Sequence, residues 1–178
     1  TVERVESLDA AAIAAEFARR DQGGQGLGAL SVRDSVVASV GGATVSVAYG
    51  RPAMRGRRIM GQVVPHGQVW RTGANEATAF RTDRDLVIGG MRVPAGSYTL
   101  WTVPGPEEWT LIVNKQTGQW GTVYDPAQDL ARIPVQASLE SGPPVELLTL
   151  RILPDGAGGM LVLAWEATTV AVPFTVAP

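Results

Sequence analysis

From Leu30 to the C-terminus the chain is cut by a turn signal every eight to twelve residues or so, leaving no stretch with room for a helix of ordinary length. Gly41-Gly42, Gly89-Gly90, Pro104-Gly105-Pro106 and Asp155-Gly156 bound short runs rich in Val, Thr, Leu and Trp. Paired glycines supply the positive φ angles of two-residue hairpin turns, so residues 32–40 and 43–49 are expected to form a hairpin. Further strands are expected at 77–83, 85–88, 91–93, 97–103, 109–114, 133–137, 145–153, 160–166 and 170–176, the last two separated by a polar step at Thr168-Thr169. Residues 97–103 set Tyr98, Leu100 and Thr102 against Thr99, Trp101 and Val103. Bulky groups on both faces of one strand place it between two packed layers. The pattern reads as an all-β fold, an antiparallel β-sandwich.

The first 29 residues follow a different rule. Ser7 or Asp9 caps a helix expected over residues 8–20, with Leu8, Ala12, Ile13 and Phe17 on one side and Arg19-Arg20 at the negative end of the helix dipole. Gln22 to Gly28 is too rich in glycine for helix or strand and reads as a flexible connector. The expected organisation is therefore a helical arm with its connector at 1–29 and a β-sandwich domain at 30–178. An Ala-dominated helix face gains little by burial on its own domain. Phe17, Arg19 and Arg20 are accordingly expected to meet a partner.

Charge and residue inventory exclude several functions. The chain has no Cys and one His, His66, so disulfides, thiolate metal sites and multi-histidine metal sites cannot be assembled within it. No metal and no cofactor are expected. A net charge of -2 and a sequence pI near 5.4 argue against nucleic-acid binding. No apolar run approaches the roughly 20 residues of a membrane-spanning helix. The small net charge conceals an uneven distribution, because residues 51–84 hold seven Arg against Glu76 and Asp83, whereas residues 85–178 hold four basic and nine acidic side chains. The chain opens Thr1-Val2-Glu3 without a methionine, as a mature exported protein would, and a periplasmic or otherwise exported location is expected.

The segment from Tyr49 to Asp83 carries the chemistry. Gly50, Pro52, Gly56 and Gly61 mark a looped excursion from which Arg51, Arg55, Arg57 and Arg58 project, a set suited to a carboxylate, a phosphate or an acidic partner face. Trp70-Arg71-Thr72-Gly73-Ala74-Asn75-Glu76 then places a guanidinium, an amide and a carboxylate within a few positions. Arg71 with Glu76 forms either an internal pair that locks the loop or, with Asn75, a ligand site. Of the five tryptophans, Trp120 in Thr117-Gly118-Gln119-Trp120-Gly121 is the one expected at the surface, where it would serve as a platform for a sugar ring. The other four are expected to pack the core. A catalytic set is missing from the pattern: no Gly-x-Ser-x-Gly elbow occurs, His66 sits in a Pro-His-Gly turn, and Glu107 and Glu108 point to opposite faces of a strand.

Tyr49-Gly50-Arg51-Pro52, the run from Gly67 to Thr78, Ile88-Gly89-Gly90, Pro94-Ala95-Gly96-Ser97-Tyr98-Thr99-Leu100, Glu108-Trp109-Thr110, Asn114-Lys115 and Gln119-Trp120-Gly121 together resemble the bacterial domain-of-unknown-function family 2911. The resemblance implies an exported all-β domain and brings no catalytic residues with it. Two functions are expected from these readings. The first is a non-catalytic structural or adaptor subunit that docks on a larger extracytoplasmic or membrane-associated assembly through Arg51, Arg55, Arg57, Arg58 and the arm. A membrane-extrinsic subunit of an electron-transfer or photosynthetic complex is one concrete form, which no single residue specifies. The alternative is a small-ligand or carbohydrate-binding sandwich, with or without weak hydrolase activity, that uses Arg71, Asn75, Glu76 and Trp120.

Overall fold

The computed structural model describes residues 31–178 together with Ala12, Ala15, Glu16, Arg19 and Arg20. Its strands are β1 (Val32–Val40), β2 (Ala43–Arg51), β3 (Ala74–Thr82), β4 (Leu86–Ile88), β5 (Met91–Val93), β6 (Gly96–Val103), β7 (Glu108–Asn114), β8 (Asp129–Leu139), β9 (Val145–Asp155), β10 (Gly158–Glu166) and β11 (Thr168–Val176). A 3-10 turn at Pro126–Gln128 precedes β8. Every strand pairing is antiparallel.

The fold is the expected all-β sandwich, and its two layers are joined at both flanks. One layer runs β1-β2-β3-β6-β7-β8 and the other β8-β11-β10-β9, with the β4-β5 hairpin beside β11. β8 belongs to both: its first part pairs with β7 from Asp129 to Gln136, and Ala137, Ser138 and Leu139 pair with β11. On the opposite flank the chain leaving β2 meets the start of β9, where Met54 N donates to Glu146 O at 2.9 Å and Leu148 N to Pro52 O at 3.0 Å. The sheet is therefore nearly closed, which removes most of its free edges.

Local chemistry explains the turns. Gly41 and Gly42 (φ 53° and 80°) join Val40 to Ala43 in a two-residue hairpin, and Gly89 and Gly90 (φ 55° and 78°) join Ile88 to Met91 in the same way. Several strand limits differ from expectation by one to four residues, β3 for example starting at Ala74 and not at 77, and two of them have a clear local cause. β8 starts at Asp129 and not at 133, because Asp129 and Ala131 pair with Asn114 and Val113. The last turn falls at Glu166-Ala167, two residues before the polar step, and Glu166 takes a left-handed backbone (φ 57°) there.

The core fills the space between the layers, with Tyr49, Leu86, Leu100, Trp109, Leu148 and Trp165 almost fully buried. Trp70 stacks on Trp165 with ring centres 6.0 Å apart and meets Trp109 edge-on at 6.3 Å. β6 is buried on both faces as expected, but its outer cover is a loop and not a sheet. Ala77, Trp101 and Ile112 form a second cluster beneath Tyr124, whose ring lies 5.0 Å from that of Trp101.

In the N-terminal segment the described residues have helical backbone, and Glu16 pairs with Arg19 and, at 3.1 Å, with Arg20. Phe17 and the glycine-rich connector lie outside the described residues.

Candidate functional site

The run Trp70 to Thr78 enters the sheet through a strained corner. Trp70 pairs with Thr102 through bonds of 2.7 and 2.8 Å, after which Thr72 (φ 55°) and Asn75 (φ 64°) both adopt left-handed backbone. Such a conformation costs a non-glycine residue on the order of 1 kcal/mol or more, so the surroundings must hold it. They do so by hydrogen bonds. Thr78 Oγ1 donates to Thr72 O at 2.9 Å, Trp70 Nε1 to Gly73 O at 3.1 Å, Asn75 Nδ2 to Ser31 O at 3.0 Å, and Gly121 N to Asn75 O at 2.9 Å. Gly50 lies opposite Ala74 at an irregularity of the β2-β3 ladder, and a Cβ on it would stand 1.9 Å from Ala74 O. Only glycine admits this approach.

This corner aims Glu76 at β1, where it forms an ion pair with Arg33, each side chain about half exposed. Arg33, Asn75, Glu76 and Trp120, with Ser31 and the backbone of Gly50 and Ala74, line a cleft of about 170 Å³. A neighbouring hollow of about 310 Å³ contains Asp34 and Arg51, paired at 3.5 Å.

Three expected sites are thus brought together, Asn75, Glu76 and Trp120, while Arg71 takes another course. The expected Arg71–Glu76 pair is not formed. The Arg71 stem runs against Gly121, whose missing side chain leaves room for it, and Nη1 donates to Gly121 O at 3.4 Å. Glu76 meanwhile projects to the opposite neighbour, Arg33. Trp120 is also not at the surface. It is only 7% exposed, so its ring offers no open stacking face, and its backbone forms an isolated bridge with Glu76. Arg33 was not among the expected site residues, because its pairing depends on the register of three strands and spans 43 positions.

A polar clamp holds the loop that carries Trp120. Asn114, fully buried, donates through Nδ2 to Asp125 O and to Asp129 Oδ1, both at 2.9 Å. Tyr124 OH donates to Asp129 Oδ2 at 2.6 Å, and Arg132 Nη1 bonds the same oxygen at 2.8 Å. Burial, reinforced by the Asp129 carboxylate, pushes the Tyr124 phenol up to about 12. Within the cover, Thr99 Oγ1 accepts from Trp101 Nε1 and Gln119 Nε2 and donates to Gln116 O.

The arginine loop is built differently from the cleft. Arg51 is half-buried and structural, since Nε donates to Leu148 O and Nη2 to Thr149 Oγ1, both at 2.9 Å. Arg57 bonds the Ala53 and Met54 carbonyl oxygens. Arg55, Arg57 and Arg58 are all exposed, and no carboxylate among the described residues forms an ion pair with them. Arg55 carries a left-handed backbone (φ 50°) whose N–H donates to Glu146 Oε1 at 2.9 Å. Ile59 and Val64 anchor the loop in the core. Among the described residues no group of three or more His, Asp and Glu is placed to hold a metal ion. No helix among them is long and apolar enough to cross a membrane.

Comparison with known proteins yields one match: the model of a family described as "Protein of unknown function (DUF2911)" covers residues 31–174. No curated protein and no solved structure matches the chain.

Proposed function

The chain belongs to the DUF2911 family, whose description carries no activity, and from that premise we propose that it is a non-catalytic docking subunit that seats its loop-rich end on a larger assembly outside the cytoplasm. The observation that carries this reading is that the guanidiniums of Arg55, Arg57 and Arg58 are exposed and in no ion pair among the described residues, on a loop that is itself held firmly. Glu166 accepts the Ile59 and Met60 N–H groups at 3.3 and 3.1 Å, so the guanidiniums are carried on a backbone that loses little freedom on binding.

Strand directions gather more at the same end. The end of β8 brings Leu139, 77% exposed, and the start of β1 brings Val32, 74% exposed, to the pole where the loop exposes Val63 and Val69. Arginines around aliphatic groups are the composition of a protein interface, and guanidiniums match carboxylates two-pronged. The partner that fits is a protein face bearing Asp and Glu around an apolar centre. A membrane-extrinsic place in an electron-transfer or photosynthetic complex is one form of this proposal. Arg51 serves it indirectly by fastening the loop to β9.

A photo-cross-linking residue at Gln62, used in native membranes, tests the reading. It should capture one protein partner in a manner that weakens with salt, and the triple variant Arg55→Glu, Arg57→Glu, Arg58→Glu should lose the capture while remaining folded. The reading fails if nothing is captured, the protein remains a monomer and charge reversal changes nothing.

A further inference from the structure

The outward face of β1, β2 and β3 carries a feature that docking through the arginine loop leaves unused. Side chains alternate along a strand, so Thr44, Ser46, Ala48 and Gly50 share the outward face of β2. Their small size leaves a trough. At one end is the cleft around Arg33, Asn75 and Glu76; next to it lies a hollow of about 200 Å³ bordered by Ser46, Ala48, Ala79, Arg81, Ser97 and Thr117. Gly50 and Ser46, one in each, are about 13 Å apart by strand rise.

We infer that this trough binds a neutral, hydroxyl-rich chain, an oligosaccharide, with one sugar ring at the Arg33–Glu76 pair. The pair is neutral as a unit. A charged ligand that took one partner would strand the other, whereas a hydroxyl both donates and accepts and bridges guanidinium and carboxylate without separating them. Among the described residues Glu76 Oε1 and Asn75 Oδ1 accept no hydrogen bond, and the Ser46 and Ser97 hydroxyls make none. An apolar ligand would cover these groups and leave them unpaired. The left-handed corner at Thr72 and Asn75 fixes Glu76 before any ligand arrives, which limits the ordering cost of binding. Because the Trp120 ring is buried, no open aromatic face adds to the binding, and affinity falls near the millimolar range, roughly -4 kcal/mol.

Amide spectra of the ¹⁵N-labelled full chain, titrated with glucose, with the linear trisaccharides of glucose, mannose and N-acetylglucosamine, and with glucuronate and glucosamine, test the inference. At least one neutral trisaccharide should shift Arg33, Asn75 and Glu76 together with Ser46 and Ser97, and should bind more tightly than glucose. Glucuronate and glucosamine should bind no more tightly than glucose. Glu76→Gln should weaken trisaccharide binding about tenfold, and Arg33→Lys, which keeps the charge but not the planar fork, should weaken it in the same direction. Absence of shifts at these residues with every neutral sugar overturns the inference, as does tighter binding of a charged sugar or unaltered binding in a folded Glu76→Gln or Arg33→Lys protein. The triple charge reversal at Arg55, Arg57 and Arg58 should leave the titration unchanged, so this result and that of the docking experiment are read independently.

Discussion

Asn75 and Thr72 hold the candidate cleft in shape at a cost that only their hydrogen bonds offset, and Gly50 and Gly121 supply the room. This division of labour was partly legible. Glycines beside an Asn in Trp-Arg-Thr-Gly-Ala-Asn-Glu announce a turn, and Asn75 and Glu76 do reach the cleft. The partner of Glu76 was not legible, because a guanidinium at either neighbouring position satisfies the same local chemistry and only packing against Gly121 draws Arg71 away. Tyr124 supports the cleft from beneath its loop and gives a pH test. Its phenol is raised from 10.0 to about 12, so the fold favours the neutral form. The resulting stability is fully present below pH 10, and is lost as pH rises through about 12, since the unfolded chain ionises first. The urea-unfolding free energy of the parent minus that of Tyr124→Phe is expected to stay constant up to roughly pH 9 and to fall between about pH 10 and 12. A difference that rises with pH over that interval contradicts the assignment.

At the scale of elements, glycine pairs were the dependable guides, since a two-residue hairpin demands positive φ and those turns formed where the pairs stand. The Glu166-Ala167 turn is not legible in the sequence, because a glutamate in left-handed conformation carries no local signal. What holds it is remote: its carboxylate accepts the Ile59 and Met60 N–H groups, over a hundred positions away in the chain. That contact also fixes the arginine loop. Glu166→Ala keeps the strained turn, removes the acceptor and leaves two N–H groups short of a partner. It is expected to cost about 1 to 3 kcal/mol and to speed hydrogen exchange at Ile59 and Met60 by about tenfold or more, with Glu166→Gln intermediate. Unchanged exchange at both amides would assign the rigidity of the loop to Ile59 and Val64 alone.

At the scale of the whole molecule, the two flanks of the sandwich are closed by different means. β8 passes from one layer to the other, whereas the opposite flank depends on the short pairing of Pro52 to Met54 with β9 and on Arg51. Arg51 bonds Leu148 O and Thr149 Oγ1 and also faces Asp34, so it ties β1, β2 and β9 together. Arg51→Ala is expected to lower the unfolding free energy by about 1.5 to 3 kcal/mol and to reduce protection of the Leu148 amide, with Arg51→Lys restoring only part because the fork is lost. An unaltered Leu148 amide would mean that the backbone pairing closes this flank unaided.

Turn spacing, alternation and the absence of Cys determined the all-β class, the hairpins and the exclusion of thiolate sites, because each depends on residues a few positions apart or on simple inventory. The two-sided burial of β6 belongs here too, since its bulky residues alternate without a polar face. Tertiary structure alone decided that Glu76 meets Arg33, that Trp120 is buried, and that Arg51 is a fastener while Arg55, Arg57 and Arg58 stay exposed and in no ion pair among the described residues. Those outcomes follow from strand register and from which backbone segments approach closely enough to require glycine, and both are set by long-range pairing that no local pattern encodes.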